Sequence, residues 1–516
     1  MQPVWVPFGF VALVPALAVF DAARRVRDAL AAALVLCVLF VLVIFGWFAG
    51  AIGTYSEIPA GAALVALVVL APVLEPQFFV FALARFALRR RGAGVVRTAL
   101  ASALVYVGAE WASPKLFGDT LAHGLFGSAW MRQGADLAGA PGLTFVLLLA
   151  NDAALAAWRA LRAGPERVAR ARAALAPLAV VAGIAGALAG YGVVRMAQLR
   201  AEASGPPLAT VALVQGDISR YGRLAQRFGT FEATRVILDT YLALSSEALA
   251  GGHPDLVVWP ETVYPTTFGT PKSEAGAAFD REIAAFVARA GVPLVFGAYD
   301  TEDGREFNAA ILLEPEGPGR AGFDVYRKVR LFPLTERVPA WLDSATLRGL
   351  LPWLGTWSAG SGAAVLPVDL PAGRRLRIAP LICYDAVDPD LARVAVRGGA
   401  DLLVTLSNDS WFADAEGPRL HLVTSAFRSI ETRRPQVRVT NTGISAVIDA
   451  TGEASDTIGV HERAARLAAV PPGGGAPLFL TVGGAVGPAA LLAGAVLLLP
   501  AGPRRATLRL RPRAGR

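Results

Sequence analysis

The chain has 516 residues, 54% of them hydrophobic, and a mean hydropathy of +0.48. That excludes an ordinary soluble enzyme, and its uneven distribution excludes a chain that lies in the membrane throughout. The formal charge of +8 does not point to nucleic acid, because residues 200–477 hold 27 Lys and Arg against 32 Asp and Glu, and no basic stripe with interleaved aromatics occurs. The four scattered histidines have no paired spacing for zinc, so neither a metal nor another cofactor is expected.

In chain order, apolar stretches long enough to cross a bilayer, about 17 to 25 residues, occur at 4–20, 28–50, 59–82, 95–112, 137–161, 172–198 and 478–500. Arginine clusters follow the first span, the third, the fifth and the last, so all four fall on one face of the membrane. Short cytoplasmic loops are the ones enriched in Lys and Arg, which makes that face cytoplasmic. The segment between the last two spans then lies outside the cytoplasm, and is periplasmic in a Gram-negative cell. The N-terminus lacks a basic leader region and an evident small-residue cleavage site, so the first span is expected to be retained. The expected organisation is a membrane helical domain over 1–199 with about six spans, an extracytoplasmic catalytic domain over 200–477, a transmembrane helix over 478–500 and a basic cytoplasmic tail over 501–516.

Within 200–477, apolar and β-branched runs at Thr210–Val214, Leu256–Trp259, Leu294–Ala298, Ala310–Leu313, Leu376–Ile382, Leu402–Leu406 and Val437–Thr440 predict strands. Helical stretches at Phe231–Ala250, Ala275–Ala290, Leu391–Gly398 and Leu420–Arg433 alternate with several of them. The pattern predicts a layered α/β fold whose strands, being continuously apolar, are buried on both faces.

Three positions in this segment carry candidate chemistry. Trp259-Pro-Glu-Thr262 puts Glu261 just beyond a strand end, and the charged stretch Tyr326–Pro339 carries Lys328 and Glu336. Cys383 ends the apolar run Ile378-Ala-Pro-Leu-Ile382 and is the only cysteine of the segment, since Cys37 lies inside the second span and cannot reach it. A packed thiol and a nucleophile are both open readings of Cys383 from its own segment. Ligands of α/β folds gather at the carboxyl ends of strands, where Glu261, Lys328 and Cys383 could converge. Such a trio permits covalent acyl transfer: a thiolate attacks a carbonyl, a carboxylate moves the protons and an ammonium stabilises the oxyanion. Lys328 would also favour the thiolate electrostatically. His253, His421 and His461 sit in no cysteine-protease context.

Read together, Leu213-Val-Gln-Gly-Asp217, Trp259-Pro-Glu-Thr262, Tyr326-Arg-Lys328, Ile382-Cys-Tyr384, Ser407-Asn-Asp-Ser-Trp-Phe412 and Arg438-Val-Thr-Asn-Thr-Gly-Ile-Ser445 resemble, in order and spacing, the apolipoprotein N-acyltransferases, membrane-bound members of the nitrilase superfamily. The resemblance covers nearly the whole chain. It implies a multi-pass helical membrane domain carrying a nitrilase-like four-layer α-β-β-α sandwich. It also implies Glu261 as general base, Lys328 as oxyanion stabiliser and Cys383 as nucleophile, with Glu336, Tyr384 and Asp385 in support. The implied reaction is ping-pong: a fatty acyl group passes from a phospholipid to Cys383 and then to the α-amino group of a diacylated apolipoprotein, in a bacterial inner membrane, with a monomeric enzyme and no cofactor. A membrane amidase, an acyltransferase with another amine acceptor and a catalytically silent lipoprotein-binding relative are the alternatives.

This chain departs from the family's pattern at Pro333-Leu-Thr-Glu336, at Asp385 in place of a glutamate, near Leu224 in place of a tryptophan, and in having seven recognisable spans where eight are usual. Among the remaining residues, Asn408, Asp409 and Trp411 are expected to shape the floor of the site, with backbone N–H groups joining an oxyanion hole or serving structure alone. Arg428, Glu431 and Arg434 lie near helical spacing for ion pairs. Glu110 is expected at the water-exposed interface or facing a lipid cavity. The apolar Trp341–Trp357 stretch either lines a lipid entrance or packs and rests on the bilayer interface.

Overall fold

The apolar runs after residue 208 form strands that are buried on both faces, and their neighbours complete two sheets. The computed structural model describes residues 3–56, 58–113, 115–163, 166–218, 221–317, 320–412 and 415–500, so the expected basic tail and the side chain of Leu224 lie outside the described residues. The strands are β1 (Ala209–Gln215), β2 (Leu256–Val258), β3 (Leu294–Glu302), β4 (Arg305–Gly317), β5 (Arg320–Arg327), β6 (Leu366–Leu370), β7 (Arg374–Ile382), β8 (Leu402–Ser407), β9 (Gln436–Thr440), β10 (Ser445–Ile448), β11 (Ala454–Ile458) and β12 (Ala464–Val470). One sheet has the order β12-β1-β2-β3-β4-β5 and the other β11-β10-β9-β8-β7-β6. The two central trios, β1-β2-β3 and β7-β8-β9, are parallel, which is why they read as unbroken apolar runs.

Between the sheets, Val211, Leu213, Val258 and Val295 pack against Ile378, Val404, Leu406 and Val439. The helices Thr230–Gly251 and Glu274–Ala290 cover the outer face of the first sheet through Ile237, Tyr241, Ile283 and Phe286. Pro389–Arg397 and Glu416–Thr432 cover the second through residues such as Leu391 and Ala426. The result is the expected four-layer α-β-β-α sandwich. Strands β5, β6 and β11, which carry no apolar run, lie at or near sheet edges where one face meets solvent, and β6 accommodates Pro367 for that reason.

The two parallel trios deliver their carboxyl ends to one side of the sandwich. β5 is antiparallel to β4, which is antiparallel to β3, so β5 ends on that side too. Glu261, Lys328, Cys383, Asn408 and Asn441 each follow such an end within three residues. This edge faces the helices.

Among the described residues, five helices are long and apolar enough to cross a membrane: Trp5–Ala22, Val26–Phe45, Met131–Arg162, Arg167–Glu202 and Leu478–Leu498. The pair Ala60–Leu74 and Gln77–Arg90 makes a sixth if counted as one span, bent by 48° where Pro76 interrupts the helix. By length and composition, helices among the described residues account for five or six of the seven spans expected from the sequence. Val95–Ala112 is helical but outside that set, because Arg97, Thr98, Ser102 and Glu110 dilute its apolar character. It packs closely along Leu478–Leu498: a Cβ on Gly108 would lie 2.5 Å from Leu491 Cα, and one on Gly494 would lie 2.7 Å from Val105 Cγ2. Glycines facing across a helix pair let the backbones approach in this way.

Helices and sandwich are joined by buried polar contacts. The fully buried Arg433 donates through Nη2 to Asp136 Oδ2 at 2.8 Å and through Nη1 to Gln133 Oε1 at 2.6 Å. Phe48 and Phe117 from the helical part pack edge-on or stacked with Trp411, and Phe117 also meets Phe332 at 5.9 Å between ring centres.

Candidate active site

Each acid, base and thiol of the expected trio is placed by the turn that ends its strand. After β2, Pro260 stops the strand and the chain turns under β3, where Thr262 takes φ +58°. A side chain at position 297 would forbid this, since a Cβ there would meet Thr262 N at 2.4 Å and Glu261 Cα at 2.5 Å. Gly297 thereby lets Glu261 sit at the sheet edge, only 6% exposed.

Lys328 follows β5 and is 1% exposed. Its Nζ donates to Glu261 Oε1 at 3.1 Å and to Glu336 Oε1 at 2.7 Å, so one ammonium joins two carboxylates. Asn308 of β4 donates to the same two oxygens at 2.8 and 3.3 Å. The remaining oxygens are also held: the N–H of Asn408 reaches Glu261 Oε2 at 2.8 Å, and that of Phe332 reaches Glu336 Oε2 at 2.7 Å. Burial pushes the Lys328 ammonium toward losing its proton, but the Glu261 and Glu336 carboxylates outweigh it and hold the pKa well above the ordinary lysine value. The site therefore carries a fixed cation.

Cys383 begins a short 3-10 turn, Cys383–Val387, and takes φ +48°, a conformation that costs a non-glycine residue about 1–3 kcal/mol. It is 8% exposed. Burial, then the Glu261 carboxylate, push the thiol well above its ordinary pKa, and Lys328 opposes them. Lys328 favours the thiolate, as expected, but burial and Glu261 outweigh it, so the thiol needs a base to be deprotonated.

Asp385 acts as a clamp. Its Oδ1 accepts from the N–H groups of Val329 and Arg330 at 3.1 and 2.7 Å, and its Oδ2 from Tyr326 Oη at 2.8 Å and Ile382 N at 3.0 Å. One fully buried carboxylate thus ties the Lys328 loop to the strand that carries Cys383. Tyr384 turns away from the sandwich, donating to the backbone carbonyl of Lys115 at 2.6 Å and packing its ring on Phe332.

The other residues singled out in the sequence take the following places. The Asn408 N–H is occupied by Glu261, so it orients the carboxylate instead of standing free as an oxyanion donor. Asp409 lies beneath the nucleophile, bonded to Ser407, Arg438 and His421. Arg428 and Glu431 do pair at 2.8 Å, but Arg434 falls beyond the helix and donates to the carbonyls of Ala400 and Gly474. Glu110 is buried, with Thr120 Oγ1 donating to it at 3.0 Å. The Trp341–Trp357 stretch projects Trp341, 84% exposed, and Leu350, 73% exposed, and walls a surface cavity of about 400 Å³ beside Arg337. Asn308 went unread in the sequence, where its signal is a polar side chain inside an apolar strand, and His421 was set aside there because it sits in no cysteine-protease context.

Residues 210–471 match the carbon-nitrogen hydrolase family model, and residues 1–153 match that of the apolipoprotein N-acyltransferase N-terminal domain. The chain is similar to a protein named apolipoprotein N-acyltransferase from Sinorhizobium medicae, 37% identical over 237 residues, 44% of this chain and 42% of that one. It is similar to another of that name from Bdellovibrio bacteriovorus, 33% identical over 239 residues, with the same two shares. The matched stretch spans less than half the length of these curated relatives. Among solved structures, an amidase from Nesterenkonia sp. aligns with 18% identity and a TM-score of 0.37, over 52% of this chain and 92% of that one. With the carbon-nitrogen hydrolase model covering half of its length behind a matching helical N-terminal domain, the chain belongs to the carbon-nitrogen hydrolase family.

Proposed function

We propose that the chain moves a fatty acyl group from a phospholipid, through a thioester on Cys383, to the α-amino group of the N-terminal diacylglyceryl-cysteine of apolipoproteins. It does so as a monomer, with the sandwich on the periplasmic side of the inner membrane. The observation that carries the reading is the Glu261–Lys328–Glu336 network, closed around one buried ammonium beside a thiol on a strained turn that faces membrane-spanning helices.

In the first half, Glu261 takes the Cys383 proton and the sulfur attacks the ester carbonyl, while Lys328 donates to the oxyanion. Collapse breaks the ester C–O bond, and the protonated Glu261 returns its proton to the departing lysophospholipid alkoxide. In the second half, the acceptor amine attacks the thioester and gives its proton to Glu261. Collapse breaks the C–S bond, an amide forms, and the sulfur is reprotonated by Glu261. One carboxylate, alternately base and acid, balances both halves. Glu336 and Asn308 keep Lys328 and Glu261 aligned.

The test is mass spectrometry of the purified protein after incubation with a phospholipid. An added acyl mass on Cys383, discharged by a diacylglyceryl-cysteine peptide with N-acylation of that peptide, is expected. Its absence in the wild type, or its persistence in Cys383→Ala, would overturn the reading. Release of ammonia from simple amides without acyl transfer would assign an amidase.

A further inference from the structure

A buried polar cluster behind the nucleophile has no part in the two half-reactions. His421, on the helix Glu416–Thr432, is 6% exposed, and Asp409 and Arg438 are 1% and 0% exposed. The Nε2 of His421 lies 3.2 Å from the backbone carbonyl oxygen of Cys383. Its Nδ1 lies 3.2 Å from Asp409 Oδ1 and 3.1 Å from Arg438 Nη2. Arg438 Nη2 in turn donates to Asp409 Oδ2 at 3.0 Å, and Ser407 Oγ donates to Asp409 Oδ1 at 2.7 Å.

These partners fix what the ring can do. A carbonyl oxygen can only accept, so Nε2 carries the proton in either charge state of the ring. At Nδ1 the ring faces both a donor, Arg438, and an acceptor, Asp409, so that side is held by one or the other. The imidazole is therefore held from behind and presents one N–H to Cys383.

That N–H meets the nucleophile at its weakest point. Cys383 stands at φ +48°, where its backbone would relax unless its peptide groups were fixed. On the N-terminal side, Asp385 Oδ2 fixes the Ile382 N–H at 3.0 Å. On the C-terminal side, the Cys383 carbonyl has His421. Because the peptide unit is planar, holding that carbonyl also sets the direction of the Tyr384 N–H. This N–H lies in the first turn of a 3-10 helix, where helix geometry supplies no acceptor, so it is available to a developing oxyanion.

Resting on the acyl-transfer reading, we propose that His421 is a positioning residue: its Nε2–H holds the Cys383 carbonyl, and so keeps the sulfur and the Tyr384 N–H aimed at the acyl carbonyl. Asp409 and Arg438 hold His421 in turn.

The experiment uses the full chain in detergent micelles, a p-nitrophenyl fatty ester as acyl donor, and single-turnover mass spectrometry of Cys383. His421→Phe fills the ring's space without a donor, and His421→Asn is polar but ends short of the Cys383 carbonyl. His421→Gln places an amide N–H at about the reach of Nε2. Thioester formation is expected to slow about 100-fold in the Phe and Asn variants, the scale of a nucleophile misplaced by about 1 Å, and to recover at least tenfold in the Gln variant. Equal rates in the Asn and Gln variants, or a wild-type rate in the Phe variant, overturn the proposal. If the wild type forms no thioester, the acyl-transfer reading has failed independently. Iodoacetamide alkylation of Cys383 across the same variants then decides the role of His421 by the same ranking.

Discussion

Tyr384 donates its phenol to the backbone carbonyl of Lys115 at 2.6 Å, which ties the residue after the nucleophile to the loop that leaves the helix Val95–Ala112. Lys115 is itself anchored: its ammonium pairs with Glu75 Oε2 at 2.7 Å, at the bend between Ala60–Leu74 and Gln77–Arg90, and with Asp119 Oδ2 at 3.1 Å. The Cys383 turn is thus referenced to the membrane helices as well as to its own sheet. This contact adds to the Arg433–Asp136 pair in holding the sandwich against the helices.

Tyr384→Phe removes that one bond and keeps the ring on Phe332, 5.1 Å away between centres. A net loss of about 0.5–1.5 kcal/mol is expected, the worth of one neutral hydrogen bond. If, as proposed, a phospholipid is the donor and approaches past the helices, acyl transfer from vesicles should slow severalfold. Thioester formation from a water-soluble ester should be unchanged. Equal slowing with both donors would mean that the phenol serves the chemistry itself.

Lys328→Met leaves Glu261 and Glu336 facing each other in a buried site without their shared cation. Removing one member of a buried ion cluster costs about 3–5 kcal/mol, so the variant should unfold at lower temperature or denaturant. A second variant, Glu336→Gln, separates stability from chemistry: it keeps the Lys328–Glu261 pair and the acceptor oxygen that Phe332 N–H uses. Thioester formation in Lys328→Met should fall by at least about 10²-fold, the usual effect of removing an oxyanion donor, while Glu336→Gln loses much less. Single-turnover rates on folded fractions measure both.

Two buried carboxylates next to the nucleophile respond to pH in opposite ways. Burial raises Asp385 from an ordinary 3.8 to about 6, against the N–H groups of Arg330 and Ile382 and the charge of Lys328. Burial also acts to raise Asp409, but Arg438, His421 and Ser407 outweigh it and hold the carboxyl down to about 2. For Asp385 the folded state binds the proton more tightly, so its contribution to stability is complete below pH 3.8 and is lost as pH rises through about 6. For Asp409 the unfolded state binds it more tightly, so its contribution is complete above pH 3.8 and is lost as pH falls through about 2. Asp409→Asn should be less stable at neutral pH, since Arg438 loses its counter-charge, and should show a flatter loss of stability between pH 3.8 and 2. Urea unfolding across that range checks it; an unchanged acid slope would mean that Asp409 is not the group responsible.

How much of this was legible depended on whether a residue's signal was local. Cys383 and Glu261 each follow a strand end that a continuous apolar run marks in the sequence itself, whereas Lys328 was visible only as a cation in a charged stretch. The strands β5 and β6 were not legible, because an edge strand is half solvated and β6 carries a proline. Asn308 and Arg438 were visible only as polar residues inside strands; their meaning depends on partners 47 and 29 residues away, Glu261 and Asp409. His421 offered no local cue at all, since its importance comes from a carbonyl 38 residues distant. The helical part suffered the reverse problem: Val95–Ala112 has the length of a span, yet its buried polar face and its glycine contacts with the last helix emerge only from packing.

Glu261→Gln should separate thiol reactivity from turnover. The Glu261 carboxylate is the second cause, after burial, that raises the Cys383 thiol, and Lys328 is the cause that lowers it. Neutralising Glu261 removes the first charge and leaves the second, so the thiolate fraction at neutral pH should rise. Iodoacetamide, which needs only the thiolate, should then alkylate Cys383 severalfold faster in the variant than in the wild type. Acyl transfer should nonetheless collapse, because no group remains to protonate the leaving alkoxide or to accept the proton of the incoming amine. The oxygen held by the Asn408 N–H is retained by a glutamine carbonyl, which limits displacement of the side chain. Faster alkylation with lost transfer is the pattern expected of a general base that also tunes its nucleophile. Slower alkylation would mean that Glu261 governs the thiol through placement, and that its charge is secondary.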